Sequence, residues 1–165
     1  MQSRRLRLVF VLPVLALAAG GAVISATTHE RDLERGRYLS IIGGCNDCHT
    51  PGYLEKSGAV PESRWLSGSP VGFQGPWGTT YAANLRLVAA SMSEAQWLTH
   101  ARAARRPPMP WFNIRTMSDP DLGAIYAYLR SLGPGGAPAP AYVPPGENVA
   151  TPYIDFVPKN LPPAG

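Results

Sequence analysis

With only two cysteines, three histidines and 16% charged residues, this 165-residue chain has few means of stapling itself together or of doing acid–base chemistry. Two cysteines cannot both serve a site and cross-link the fold. A zinc site built on them would need further ligands, and the histidines are only His29, His49 and His100. No internal repeat is present, and no motif occurs twice. The excess of positive charge is also slight. Removing Arg4, Arg5 and Arg7, which precede Thr27 without any acid, from the formal +4 leaves +1. A sequence pI of 9.3 is therefore no argument for nucleic acid. No nucleophile with an adjacent base, no acid–base pair and no second metal site points to catalysis by the chain itself.

What the chain does have is Cys45-Asn46-Asp47-Cys48-His49. Two cysteines three positions apart, followed at once by histidine, form the attachment signature of a c-type haem. Each thiol adds to one vinyl group, and the short turn sets the sulfurs at the vinyl separation. His49 is then held beneath the iron, where a neutral imidazole ligates it. Competing readings are a redox Cys-x-x-Cys, which needs a strand-to-helix context and a low-pKa thiol, a zinc site, and a chance match. On the haem reading both cysteines are consumed, one haem c is bound per chain, and the covalent cofactor stands at the centre of a small core in place of a disulfide.

The N-terminus has the basic, apolar, small-residue order of a secretory signal peptide. Three arginines lie within residues 1–7, an apolar run follows over 8–19 with Pro13 inside it, and small residues surround 22–26. The alternative is an uncleaved anchor, because 8–26 is about long enough to span a bilayer. Either way the expected location is exported and periplasmic, with membrane contact only if the segment is retained. The expected division is a signal peptide or anchor over 1–26, a domain over 28–133, and a Pro-rich extension over 134–165, in which 153–157 is apolar and expected to dock.

Three helices follow from caps and periodicity. The first opens at Thr27, with Glu30 completing a capping box, and runs to about Ile42 with Leu33, Gly36, Tyr38, Leu39 and Ile42 on its buried side. Gly43-Gly44 ends it. The second runs from Ser93, with Gln96 in the box position, to about Arg105, where Pro107, Pro108 and Pro110 stop it. The third is capped by Ser118, carries Asp119 and Asp121 in its first turn, and places Leu122, Ile125, Tyr126, Leu129 and Leu132 on one face. Periodicity assigns 50–92 to loops, and so long a loop in a small domain is expected to wrap something.

From Asp32 to Gly133 the chain resembles the monohaem class I cytochrome c family. The Pro-x-Met-Pro-aromatic run at 107–111, Met-Ser-Asp-x-Asp-Leu at 117–122 and Tyr-Leu-Arg-Ser-Leu at 128–132 are similar to bacterial cytochromes that accept electrons from periplasmic dehydrogenases. The resemblance implies an all-α fold: three main helices and long loops around one covalently bound haem, followed by the Pro-rich extension. It also implies a distal methionine ligand on a loop ahead of the last helix. Met92, Met109 and Met117 compete. Met92 and Met117 each precede a helix-capping serine, whereas Met109 lies sixty residues after His49 in a proline-stiffened loop, which favours His49 and Met109 as axial ligands with Met117 the alternative. In the family a small residue on the first helix meets an aromatic on the last, here Gly36 with Tyr128 or Tyr126. Trp77, Tyr81, Asn84 and Trp111 are candidates for the pocket wall or for donors to a propionate. The arginines at 102, 105 and 106 are candidates for a docking face toward an acidic partner, for a place near the propionates, or for a solvated helix end. The implied function is one-electron transfer by an electron carrier, not an enzyme. Its donor would be a periplasmic dehydrogenase and its acceptor a cytochrome or oxidase. It would be soluble or fixed as a subunit, and an open-site haem sensor or enzyme is the alternative.

Overall fold

The computed structural model describes residues 17–160, with side chains from His29 onward. The leader expected over 1–26 lies outside the described residues, except for the backbone of 17–26. Among the described residues no helix is long and apolar enough to cross a membrane. The chain divides into two units, residues 1–31 and 32–165; apart from the first part of α1, the features below belong to the second.

Helix α1 (Leu17–Ile42) passes straight through Thr27, so that threonine does not open it; the helix continues through Gly20 and Gly21, which are poor helix formers. Its inward stripe is Gly36, Leu39 and Ser40, the i, i+3, i+4 set. Tyr38 and Ile42, expected on that side, are exposed. Tyr38 is two residues from Gly36, about 200° around the helix axis.

Helix α6 (Asp119–Leu132) begins as its sequence implies. The Ser118 hydroxyl accepts from the Asp121 N–H at 3.3 Å, and a proline occupies the first turn. Leu122, Ile125, Tyr128 and Leu129 are buried. Tyr128 is the aromatic residue beside Gly36: a Cβ at Gly36 would run into the Ala124 carbonyl and come within 2.8 Å of the Tyr128 Cβ. Helix α4 (Glu94–Ala101) carries the complete Ser93/Gln96 capping box but stops four residues short of Arg105. Short helices α2 (Cys45–His49), α3 (Leu85–Ala90) and α5 (Trp111–Arg115) and one 3-10 turn (Glu62–Arg64) fill the connections. The core gathers Leu39, Trp65, Leu66, Ala89, Trp97 and Ile125 with the inner face of α6.

The all-α expectation of three main helices is overturned. Among the described residues there are six α-helices and a mixed three-stranded sheet in the order β2-β1-β3. Strands β1 (Gly72–Gly75) and β2 (Gly78–Tyr81) form an antiparallel hairpin with Gly75 opposite Gly78. β3 (Tyr153–Asp155), from the Pro-rich extension, pairs with β1 in parallel, Gly72 opposite Tyr153. On the other side of the hairpin Val143 bridges Thr79 with backbone bonds of 2.8 and 3.0 Å. The extension therefore runs along both edges of the hairpin. Four-residue strands bounded by glycine give too short an alternation to read as period two, and the third strand lies some eighty residues downstream.

Candidate cofactor site

Gly43 and Gly44 make the motif possible. Gly44 adopts φ 68°, and a Cβ at Gly43 would sit 2.8 Å from the Leu39 carbonyl oxygen and 3.8 Å from the Cys45 Sγ. The chain thus turns out of α1 directly into α2. One helical turn then places Cys45, Cys48 and His49, at i, i+3 and i+4, on a common side. All three line a cavity of about 710 Å³, within the roughly 300–1,000 Å³ typical of ligand pockets. The remaining walls are mostly apolar, with Leu85, Val88, Trp97, Leu122 and Ile125 from α3, α4 and α6.

The His49 ring is oriented by the protein. Its Nδ1 donates to the Ala83 carbonyl at 2.7 Å, which leaves Nε2 as the nitrogen with a free lone pair. Burial lowers its pKa, partly opposed by the Ala83 bond, so the imidazole is neutral at physiological pH. A chain of bonds behind α2 fixes this placement. The Thr50 hydroxyl donates to Asn46 Oδ1 at 2.6 Å and accepts from the Leu66 N–H at 2.7 Å, while the Gly68 N–H donates to the His49 carbonyl.

Both thiols are free and held neutral. Burial pushes Cys45 up to about 11, and burial with the nearby Asp47 raises Cys48. They lack the low-pKa thiolate of a disulfide exchanger, and α2 follows a helix rather than a strand. Among the described residues no group of three His, Cys, Asp or Glu is gathered for a metal ion.

Met109 lines the same cavity, together with Pro108 and Trp111. Met92 and Met117 pack against the core instead. Of the four suggested wall residues, Tyr81 and Trp111 line the cavity; Trp77 and Asn84 do not. Trp77 sits in the hairpin turn against Phe156. Asn84 caps α3 through Oδ1, accepting from the Leu87 N–H, while its Nδ2 donates to the carbonyls of Gly135 and Ala137. Its polar atoms are thus committed to backbone. The Tyr81 hydroxyl is likewise engaged, with Thr151 Oγ1 at 2.7 Å. The arginines after α4 are fixtures. Arg102 pairs with Asp119, Arg106 lies over the Tyr142 ring and Arg115 over Trp111. His100, at the cavity, stacks on Trp97, and its pKa is lowered by burial and by Arg105. Sequence reasoning missed Ala83, whose carbonyl gives no local signal, and Pro140 and Tyr142, which bring the extension into the cavity wall.

Two thiols and a metal-ready imidazole on one turn, a thioether and an apolar surround are a donor set that fits a covalently held haem.

No family model matches the chain, and no solved structure does. Two curated relatives are similar to it. A subunit of the nicotinate dehydrogenase of Pseudomonas putida is 32% identical over 120 residues, 66% of this chain and 9% of that protein. The fructose dehydrogenase cytochrome subunit of Gluconobacter japonicus is 26% identical over 127 residues, 70% of this chain and 24% of that protein. The chain thus spans less than a quarter of the length of either. Both relatives are subunits of dehydrogenases, and one is a cytochrome subunit.

Proposed function

We propose that this chain is a one-electron carrier of the monohaem class I cytochrome c type, working with a dehydrogenase outside the cytoplasm. The observation that carries the reading is the shared lining of one apolar cavity by Cys45, Cys48, His49 and Met109. Bound there, the haem supplies an iron that takes up and releases one electron. Cys45 and Cys48 hold it through thioether bonds. His49 presents Nε2 because Ala83 engages Nδ1, and Met109 offers a sulfur for the sixth position. With His49 and Met109 both serving as ligands, the protein would leave the iron no coordination site for a substrate. Thioether ligation and an apolar surround both favour the reduced state, and so raise the potential relative to a bis-histidine haem.

The names of the two relatives favour a carrier fixed to a dehydrogenase over one that diffuses freely. The donor would then be that enzyme and the acceptor a further cytochrome or oxidase. The N-terminal pattern at 1–26 supports export to the periplasm.

The test is the holoprotein made in a host that matures c-type haem. Haem should survive denaturation attached to the wild-type chain and be lost from Cys45→Ala/Cys48→Ala. The ferric wild type should show the long-wavelength absorption of an iron–thioether bond, absent in Met109→Ala, and only the variant's ferrous form should bind carbon monoxide. A wild type without covalent haem would sink the proposal. Co-purification with a dehydrogenase at native concentration separates the fixed carrier from the free one.

A further inference from the structure

The loop that carries Met109 is held by contacts outside itself. Thr80, on β2, donates its hydroxyl to the Pro107 carbonyl at 2.8 Å. The Arg106 guanidinium lies 3.9 Å from the centroid of the Tyr142 ring. Tyr142 belongs to the Pro-rich extension, and that part of the extension is itself pinned to β2. The Tyr142 hydroxyl donates to the Trp77 carbonyl at 2.8 Å, and Val143 exchanges two backbone bonds with Thr79. The path over the hairpin is close: Gly78 has φ 92°, and a Cβ there would strike the Val143 carbonyl and approach the Tyr142 ring to 3.0 Å. Pro140 and Tyr142 also form part of the cavity lining.

We propose that residues 140–143 are an intramolecular clamp that keeps Met109 at the cavity, with Tyr142 as the positioning residue and Arg106 as its counterpart on the Met109 loop. The inference rests on the reading of Met109 as an iron ligand, and it assigns the extension a task inside the molecule. A cation over an aromatic face is a modest interaction, but it acts on a balance between closed and open arrangements of one loop. Its loss therefore appears as a changed population of the open form.

Four holoproteins decide it: wild type, Tyr142→Ala, Tyr142→Phe and Arg106→Gln. Each is followed by the iron–thioether absorption of the ferric form, by carbon monoxide binding of the ferrous form and by thermal melting. Tyr142→Ala should raise the carbon-monoxide-binding fraction about fivefold or more and weaken the thioether absorption; Arg106→Gln should do the same to a lesser degree. Tyr142→Phe, which keeps the ring under the guanidinium, should stay within about twofold of wild type. If Tyr142→Ala melts earlier but keeps wild-type absorption and excludes carbon monoxide, Tyr142 is merely structural and the clamp is wrong, while the ligand reading stands. If Tyr142→Ala does not fold, Arg106→Gln decides alone, and wild-type behaviour there overturns the clamp. A wild type that itself lacks the absorption and binds carbon monoxide removes the ligand reading, and the clamp with it.

Discussion

Single atoms decide how closely the elements of this fold approach one another, and Gly36 is the sharpest case. Within an exposed helix a change from glycine to alanine stabilises by about 1 kcal/mol. Here the added methyl would meet the Ala124 carbonyl and the Tyr128 Cβ, and overpacking of that kind costs roughly 1–3 kcal/mol. Gly36→Ala should therefore lower the denaturation midpoint, and a rise would show that the crossing of α1 and α6 is loose. Tyr128 supplies a second test, at alkaline pH. Burial, and then the 2.6 Å hydrogen bond it donates to Glu62, raise its pKa in the folded state. A raised folded pKa contributes stability that is complete below the unfolded value and is lost as pH rises beyond it. Denaturant midpoints measured from about pH 8 to about pH 11 should fall more steeply for wild type than for Tyr128→Phe once pH passes the ordinary tyrosine value of about 10. Parallel curves would count against the assignment. At this scale the motif was legible because its chemistry is contained in five consecutive residues. The acceptor for His49 was not, because a backbone carbonyl at position 83 looks the same in any sequence.

Among the elements, the starts of α4 and α6 could be read from the sequence, whereas those of α1 and α3 could not. Ser93 with Gln96 and Ser118 with Asp121 cap α4 and α6 as their spacing implies, since a cap is a local bond between neighbours. The end of α6 depends on a distant residue. Arg86, nearly buried on α3, donates to the carbonyls of Leu132 and Gly133 and to Ser63, at 2.5 to 2.7 Å. It thus satisfies the terminal carbonyls of another helix and sets a positive charge at the negative end of that helix's dipole. Arg86→Met keeps much of the stem but leaves those carbonyls unpaired, at about 1–3 kcal/mol for each buried group. We expect a loss of at least about 2 kcal/mol in chemical denaturation, accompanied by faster amide exchange in the last turn of α6. A loss spread evenly over the molecule with no local change in exchange would argue against the capping role. The strands were illegible for a reason of the same kind: β1 and β2 are four residues each, and much of their definition comes from a tail that meets them from both sides.

At the level of the whole molecule, the core is built around the cavity, whose lining includes Leu122, Ile125 and Trp97 from the same helices that pack the interior. The cavity of about 710 Å³ is lined largely by apolar side chains, and apolar surface left in contact with water is unfavourable. The chain without attached haem, made as Cys45→Ser/Cys48→Ser, should keep much of its far-ultraviolet helical signal and lose its near-ultraviolet aromatic signal, with increased binding of hydrophobic dyes. An apo form with sharp near-ultraviolet signals and a cooperative melt at the holoprotein's temperature would show that the core closes without the group.

Sequence alone determined the spacing that puts two thiols and an imidazole on one helical turn, the caps of α4 and α6 and the amphipathic face of α6, because each is written in residues within a turn or two of one another. Tertiary structure decided the rest: which carbonyl holds His49, which methionine shares its cavity, and that the Pro-rich extension binds the hairpin on both edges instead of trailing free. These depend on contacts between residues from 34 to more than 80 positions apart, and the free energy of such contacts exists only once the whole chain has closed around its core.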